Sequence, residues 1–343
     1  MAHELSIRAD GTADFAHINE AAWHGLGQQL EAGQPIEVWA KAAGLSHEVR
    51  RAVVQYNSVE QDIDGDGNPI AITTNHLYSD REVLYRSDTN APLGVVGKNY
   101  NIVQPAQVLD FFAKLAENNH FTLETAGALS GGKRVWALAK VSDGAPVIGQ
   151  DVVKPYVLLA TSYDGTLATT ARLTSVRVVC ANTLGFATAE GGDTIKVPHN
   201  KEFSIEDTRL DLGIAFSGFD KFLIEARRLA KREVNEAFAI EFLKKLLPAT
   251  VSVKTVAGIK TATPVPVEET KAFAAILDLF KGEALGADLP EASGSAWALL
   301  NATTQYVDHV NGRNPDTRLS SAWFGQGNAL KSRARDQLLA VVA

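Results

Sequence analysis

From about residue 48 to 203, hydrophobic and polar positions alternate along the chain, as is typical of half-buried β-strands. The run EVRRAVVQYNSV alternates, a polar turn DIDGDGNPI follows it, and AITTNHLYSDREVLYRS returns as a strand. Two further hairpins are predicted, one turning at Ser130-Gly131-Gly132 and one around Asp164-Gly165, because glycine permits the backbone angles that tight turns need. The pattern therefore predicts a sheet of antiparallel hairpins.

After a mostly helical lead-in, with a helix predicted at 35–43, helical spacing returns at 105–119, where Val108, Leu109, Phe112 and Leu115 recur on one side. From residue 204 the sequence reads as a long helix or two ending before Pro248, with further helices at 268–281, about 293–310 and 327–342. The stretch 249–267 lacks a helical period and contains two prolines, which predicts a linker or exposed loop.

These segments predict an α+β fold, in which an antiparallel β-hairpin sheet is crossed by helices and followed by a helical C-terminal third. Three regions are expected. A mostly helical lead-in with a WHGLG motif spans 1–47, a β-rich body spans 48–203, and a helical C-terminal region with the loop at 249–267 spans 204–343.

Composition narrows the functional classes. The 343 residues carry a net charge of −7, which excludes a generally basic nucleic-acid coat but leaves room for a local basic patch. The single cysteine, Cys180, allows no intrachain disulfide and fits a reducing compartment. Its apolar strand favours a buried structural thiol over a nucleophile. No apolar run reaches the roughly 18 residues of a membrane span, and MAHELSIRADG lacks a signal pattern. We therefore expect a soluble cytoplasmic protein.

Motifs for catalysis or metal binding are incomplete. DIDGDGNPI resembles the start of a calcium loop, but Thr73 stands where a bidentate carboxylate is needed. GALSGGKR approaches P-loop spacing, yet Arg134 replaces the Ser or Thr that holds Mg²⁺, and a strand is predicted where a helix should begin. The eight histidines show no metal-ligand spacing, and no GxSxG elbow occurs. We therefore expect no enzyme activity, no metal and no cofactor.

Cations lie close to aromatic residues in two places. The helix predicted at 219–233 carries Arg227, Arg228, Lys231 and Arg232, which suit either a solvated helix face or a face toward phosphates. In TSVRVVC, strand alternation places Arg177 on a mixed face. Arg177 is therefore either a ligand contact or a member of a buried ion pair, and both interpretations stay open.

Several blocks in order along the chain resemble one family. They are MAHEL, WHGLG, LGVVGKNYNIVQ, GALSGGKRVWALAKV, SYDGTLATTARLTSVRVVCANTL, NATTQYVDHV and SSAWFGQGNALK. Together they resemble the DUF932 or phage/plasmid-like protein family. The resemblance implies a mobile-element protein in a bacterial cytoplasm. A looser analogy connects the expected hairpin sheet and long helix with Rad52-like single-strand annealing proteins, which assemble into rings around a basic groove.

The resulting hypothesis is a nucleic-acid-binding protein of a phage or plasmid that binds single-stranded DNA and promotes annealing or recombination. We expect the protein to be a homo-oligomer, for which a ring is one arrangement. Cations would hold the backbone while aromatic side chains stack on bases. The candidate residues are Lys98, Tyr100, Lys133, Arg134, Trp136, Arg172, Arg177, Arg227, Arg228, Lys231 and Arg232. The alternative is an oligomeric structural or interaction protein of a mobile element that binds no nucleic acid.

Overall fold

The computed structural model describes residues 7–8, 10–18, 27–118, 121–177, 183–185, 194–208, 217–256, 259–289, 292–312 and 315–342. Its strands are β1 Phe15–His17, β2 Gln28–Gln29, β3 Val49–Ile63, β4 Pro69–Arg86, β5 Pro92–Gly97, β6 Thr122–Leu129, β7 Arg134–Lys140, β8 Ala145–Ile148, β9 Asp151–Ser162, β10 Thr169–Arg177, β11 Thr183–Gly185, β12 Thr194–Val197, β13 Thr250–Val256 and β14 Ile259–Val265. Its helices are α1 Ile36–Ala42, α2 Pro105–Asn118, α3 Ser217–Lys231, α4 Glu236–Leu246, α5 Lys271–Asp278, α6 Ala296–Gln305, α7 Pro315–Phe324 and α8 Gln326–Val342. The predicted α+β class, with antiparallel hairpins and a helical C-terminal third, is confirmed.

A nine-stranded sheet forms the centre of the molecule, in the order β11-β10-β9-β7-β6-β1-β2, with β12 also pairing β10 and β8 pairing β9. The hairpin pairs β6–β7 and β9–β10 are antiparallel, as predicted. Strand β9 is buried along almost its whole length. Its apolar run YVLLA suits a strand that is covered on both faces.

Each face of the central sheet has its own apolar layer. On one face, alanine and valine side chains of β6, β7 and β9 belong to the main core, which includes Leu109, Phe112 and Leu115 of α2. These helix positions are those that the spacing at 105–119 predicts. On the other face, Phe15, Trp136 and Leu158 form a smaller cluster against Trp323 of α7.

A second sheet, β3-β4-β5, carries a long projection. Strand β5 pairs only with residues 81–85 of β4, so the β3–β4 hairpin continues alone beyond Val53. We call residues 54–78 the arm. All of its residues are exposed or half-buried. The predicted polar turn closes it, with Asp64 accepting backbone N–H groups from Asp66 and Asn68 at 2.9 and 2.8 Å.

Two expectations about the chain's outer segments are corrected. In the described part of the lead-in, strands β1 and β2 accompany α1, because Phe15–His17 pairs with Thr125–Gly127 of the central sheet. Residues 23–26 of the WHGLG motif lie outside the described residues. The segment 249–267 is a hairpin of β13 and β14 rather than a loop. Its β-branched residues favour strands, and Pro264 sits near the end of a two-stranded ribbon, where proline is tolerated.

Helices α5, α6 and α8 overlap the predicted segments 268–281, 293–310 and 327–342, whereas α7 was not predicted. Ser204 caps a helical turn, since its Oγ accepts the N–H of Asp207 at 3.1 Å. Two helices, α3 and α4, precede Pro248, and Asn235 caps the second by accepting the N–H of Phe238 at 2.9 Å. Trp297 of α6 donates its indole N–H to buried Asp151 at 2.8 Å, which joins the helices to the start of β9. Among the described helices, none is long and apolar enough to cross a membrane.

Ion pairs around two buried side chains, Arg86 and Asp14, join the three-stranded sheet to the central sheet. Arg86, at the end of β4, is 8% exposed and donates two hydrogen bonds to the carboxylate of Asp88, at 3.0 and 2.8 Å. Its remaining Nη1 lies 3.5 Å from Asp14, which is 3% exposed and also accepts from Arg8 at 2.6 Å. The backbone oxygen of Asp14 accepts the N–H of Ala128 in β6. One arginine therefore connects two sheets and the N-terminal strand.

We predict that Arg86→Met lowers the free energy of unfolding by about 3–5 kcal/mol, because it leaves Asp14 with one guanidinium fewer in a buried site. The hydrogen bonds from Arg86 hold the pKa of Asp88 at about 2. In the variant the pKa of Asp88 should rise toward 3.8. The stability that the ionised Asp88 contributes above pH 3.8, and loses as the pH falls toward 2, should then be absent. Denaturant unfolding and carboxyl NMR titration measure both effects.

Arg50→Met is the matched control, because Arg50 pairs with Glu48 on the exposed surface of the same hairpin. Such a pair contributes at most about 1 kcal/mol. Equal losses in the two variants would contradict the structural role of Arg86.

Candidate nucleic-acid interface

Four loops meet at one end of the central sheet. They are the turn between β6 and β7, the connection between β9 and β10, the segment between β5 and α2, and the residues after β12. Hydrogen bonds join them. Tyr163 N–H donates to Lys133 O at 2.8 Å, and Tyr100 OH donates to Ser162 O at 2.6 Å. The loops are therefore held in one surface by strands that are distant in sequence.

The turn GALSGGKR has a backbone that explains its residues. Ser130, Gly131 and Gly132 all have positive φ, of 54°, 73° and 93°. A Cβ on Gly132 would lie 2.9 Å from Nη1 of Arg86, so glycine allows the turn to sit against the buried ion pairs. Strand β7 begins at Arg134, so the turn is a hairpin tip and lacks the helix N-terminus of a P-loop.

A stacked aromatic pair lies at the centre of this surface. The rings of Tyr100 and His199 are 4.1 Å apart and tilted by 16°. The His199 nitrogens lie 2.9 Å from Asn101 O and 3.0 Å from Leu167 O. Carbonyl oxygens only accept hydrogen bonds, so a ring nitrogen that carries a proton donates to the carbonyl beside it. The pair is thereby fixed in orientation by its backbone partners.

Cations lie on the same loops as the stacked pair and on the neighbouring hairpin tip. Lys98 is 62% exposed, with its Nζ 4.0 Å from Asp80. Lys133 and Lys201 are exposed, and half-buried Arg134 donates to Thr166 Oγ1 at 2.9 Å. Within the described part of the chain, neither Lys133 nor Lys201 forms a salt bridge. We call this set the loop surface: Lys98, Tyr100, Lys133, Arg134, His199 and Lys201.

Two candidate residues lie inside the protein instead. Trp136 is 4% exposed, with its ring 5.1 Å from Trp323 in an edge-to-face contact and 5.8 Å from Phe15. Arg172 is also 4% exposed and donates to Trp323 O at 2.5 Å. Both belong to the sheet face that α7 covers, so neither reaches a ligand on the loop surface.

Arg177 is the last residue of β10, opposite Val153, at the end of β9 that lies away from the loop surface. Its side chain lies outside what the structure describes. The two interpretations of Arg177, as a ligand contact and as a member of a buried ion pair, therefore both stay predictions.

The four candidate cations at the C-terminal end of α3 and directly after it form a separate group. Arg227 donates twice to Pro146 O, at 3.2 and 2.8 Å, and Pro146 pairs with Val152 near the start of β9. Arg134 pairs with Ser162 at the other end of the same strand. Ten residues of strand separate these points by about 33 Å. The structure thus places Lys98, Tyr100, Lys133 and Arg134 together and puts Arg227, Arg228, Lys231 and Arg232 elsewhere.

Sequence reasoning missed three contributors to this region. His199 and Lys201 belong to VPHNK after β12, and Arg51 donates to Tyr100 O at 2.9 Å while pairing with Glu82. The histidine and lysine in VPHNK are the signal from which His199 and Lys201 could have been predicted. Arg51 gave none, because its contact depends on a pairing between distant segments.

Other potential sites are occupied by internal pairs. A cleft of about 520 Å³ is lined by Arg8, Asp14, Arg86 and Asp88, among others, but these four groups bind one another. In the described ranges, no group of three His, Cys, Asp or Glu side chains could hold a metal ion. The loop surface is therefore the arrangement with both exposed cations and a fixed aromatic stack.

We predict that Tyr100 ionises late. Burial raises its pKa to about 12, although the hydrogen bond to Ser162 opposes the shift. The folded protein then keeps a proton that the unfolded chain releases near pH 10, so this residue's contribution to stability falls above pH 10. The ultraviolet difference between wild type and Tyr100→Phe should show a midpoint near 12, and a midpoint near 10 would contradict a buried hydroxyl.

Comparison with known proteins adds a family. No curated protein and no solved structure matches this chain. The model of a family with a domain of unknown function, DUF932, matches residues 92–323, which include the loop surface and begin after the arm. The match covers more than half of the chain, and the protein therefore belongs to the DUF932 family.

Proposed function

We propose that the loop surface binds single-stranded nucleic acid and that the protein promotes annealing of complementary strands, as recombination of a phage or plasmid in a bacterial cytoplasm would require. The observation that carries the proposal is the Tyr100–His199 stack on loops that also carry exposed cations. Exposed cations capture a phosphate backbone, and an aromatic ring stacks on any base.

Three features favour a single strand over a duplex. The stacked pair is set among loops at a sheet end, where unpaired bases can reach it, whereas bases in a duplex stack on each other. The cations are few, and the net charge of −7 provides no broad attraction for a duplex. A hairpin sheet followed by α2 is also compatible with the analogy to Rad52-like annealing proteins.

The alternative function is self-assembly without nucleic acid. It is favoured by the arm, where seven large apolar side chains are 40–68% exposed. Exposed apolar groups in such number are typical of interaction surfaces. Self-assembly would use a part of the molecule other than the loop surface, so oligomerisation by itself does not decide between the two functions.

We predict that Lys133→Ala with Arg134→Ala weakens binding of a labelled single-stranded oligonucleotide and flattens its salt dependence. Each phosphate contact on a single strand contributes about 0.7 to the slope of log K against log salt. Loss of two contacts should reduce the slope by about 1.4. Fluorescence anisotropy over a salt series measures it, with a duplex of the same sequence alongside.

Lys245→Ala with Lys271→Ala is the control, because it removes two exposed cations from the C-terminal helices. Equal affinity and slope for wild type and the Lys133/Arg134 variant would contradict the proposed interface.

We predict a separate effect of the aromatic stack. Tyr100→Leu should weaken oligonucleotide binding by about 1–3 kcal/mol, the usual loss when one stacked base loses its aromatic partner. Tyr100→Phe keeps the ring and should bind nearly as wild type. The same three proteins are compared in a strand-annealing assay with quenched complementary oligonucleotides. Equal binding by the Leu and Phe variants would show that the ring makes no base contact.

A further inference from the structure

The arm has one face that is both apolar and acidic. Cross-strand pairs such as Glu60 with Ile72 and Asp62 with Ile70 put these side chains on the same side of the ribbon as Tyr56 and Tyr78. The two tyrosines are 56% and 49% exposed and the two isoleucines 40% and 43%. We call this set the docking face: Tyr56, Glu60, Asp62, Ile70, Ile72 and Tyr78.

The arm is poorly supported by its own protein. A two-stranded ribbon is marginally stable in water by itself, and no arm residue is buried. Its outer edges are unpaired within the described structure, because β5 joins only the root. A surface that binds the arm would bury apolar side chains and stabilise the ribbon.

Charge selects the kind of partner. Residues 54–78 contain four carboxylates, Glu60, Asp62, Asp64 and Asp66, and no lysine or arginine. Nucleic acid is repelled by such a surface, and two arms lying side by side would repel one another. The partner surface must therefore be cationic and partly apolar.

The chain carries a surface of this description between α3 and α8. A cleft of about 330 Å³ is lined by Arg228, Lys231, Arg232, Val341 and Val342. Ile224, one turn before Arg228 on α3, is 59% exposed, and Val341 is 47% exposed. Arg228 donates to Val342 O at 3.1 Å, and none of the three cations pairs with a carboxylate among the described residues. We call this the cationic cleft.

We propose that the docking face of one protomer binds the cationic cleft of a second copy of this chain. The inference rests on the self-assembly function and is independent of nucleic-acid binding by the loop surface. Because arm and cleft are different surfaces, the contact is heterologous, and repetition of it builds rings or open filaments. It gives the cations of α3 a protein partner.

Two variants test the contact. The arm variant combines Glu60→Lys, Asp62→Lys, Ile70→Thr and Ile72→Thr, and the cleft variant combines Arg228→Glu, Lys231→Glu and Arg232→Glu. All seven positions are exposed, so the fold should persist. The arm control changes the opposite face, with Val59→Thr, Ile63→Thr and Leu77→Thr. The cleft control is Lys245→Glu with Lys271→Glu.

Multi-angle light scattering on nuclease-treated protein gives the mass of each sample. We predict that wild type and both controls self-associate, and that each test variant alone is monomeric, with its dissociation constant raised about tenfold or more. An equal mixture of the two test variants should form at least a 1:1 dimer, because one intact arm and one intact cleft remain.

The other outcomes overturn the proposal in distinguishable ways. A monomeric wild type would overturn both the self-assembly function and the docking inference. Self-association that survives in the cleft variant but not in the arm variant would indicate contact between arms, leaving self-assembly intact and the cleft assignment wrong. Self-association that survives in both variants would place the interface elsewhere.

Discussion

The pairing of Arg86 with Asp14 and Asp88 is the constraint on which the remaining structure depends. A buried guanidinium is costly unless its donors are used, and here Nε and both Nη atoms have carboxylate partners. The three residues come from the end of β4, from the lead-in and from the turn after β4. Their contact fixes where the three-stranded sheet meets the central one, and it supports the turn that presents Lys133, since Gly132 packs against the guanidinium.

The two groups of candidate cations lie near opposite ends of strand β9 and have different surroundings. At its C-terminal end, Arg134 and Lys133 lie beside an aromatic stack and loop carbonyls. Near its start, α3 is held to β8 through Arg227, and its other cations face valines of α8. Because flat aromatic faces suit bases and aliphatic ones suit apolar side chains, the two groups are proposed to bind different ligands.

The sequence predicted what local pattern controls. Periodicity and turn residues correctly indicated helix α2, the turns at 64–68 and 130–132 and the two hairpins of the central sheet. The strand pairing of residues 15–17 was missed because a three-residue strand has no period to read, and its partner is more than a hundred residues away.

The candidate site shows the same limit at the level of side chains. Trp136 was predicted as a contact because cations and aromatic residues lie close together in the β-rich body, but that pattern could not show that the helix of residues 315–324 covers this side of the sheet. Arg172 was predicted as a contact for the same reason, and its hydrogen bond reaches across 151 positions of sequence. Lys98, Lys133 and Arg134 were predictable because turn positions are exposed whatever packs elsewhere.

The arm has a further property that follows from having no buried residue. Its length is free of the packing constraints that fix the buried strands of the central sheet. Adding two residues to each strand would extend it by about 6.6 Å and leave every side chain on its original face, since the side-chain period is two. Evolution or engineering can therefore lengthen the hairpin in steps of two residues per strand, without a change in the body that carries it.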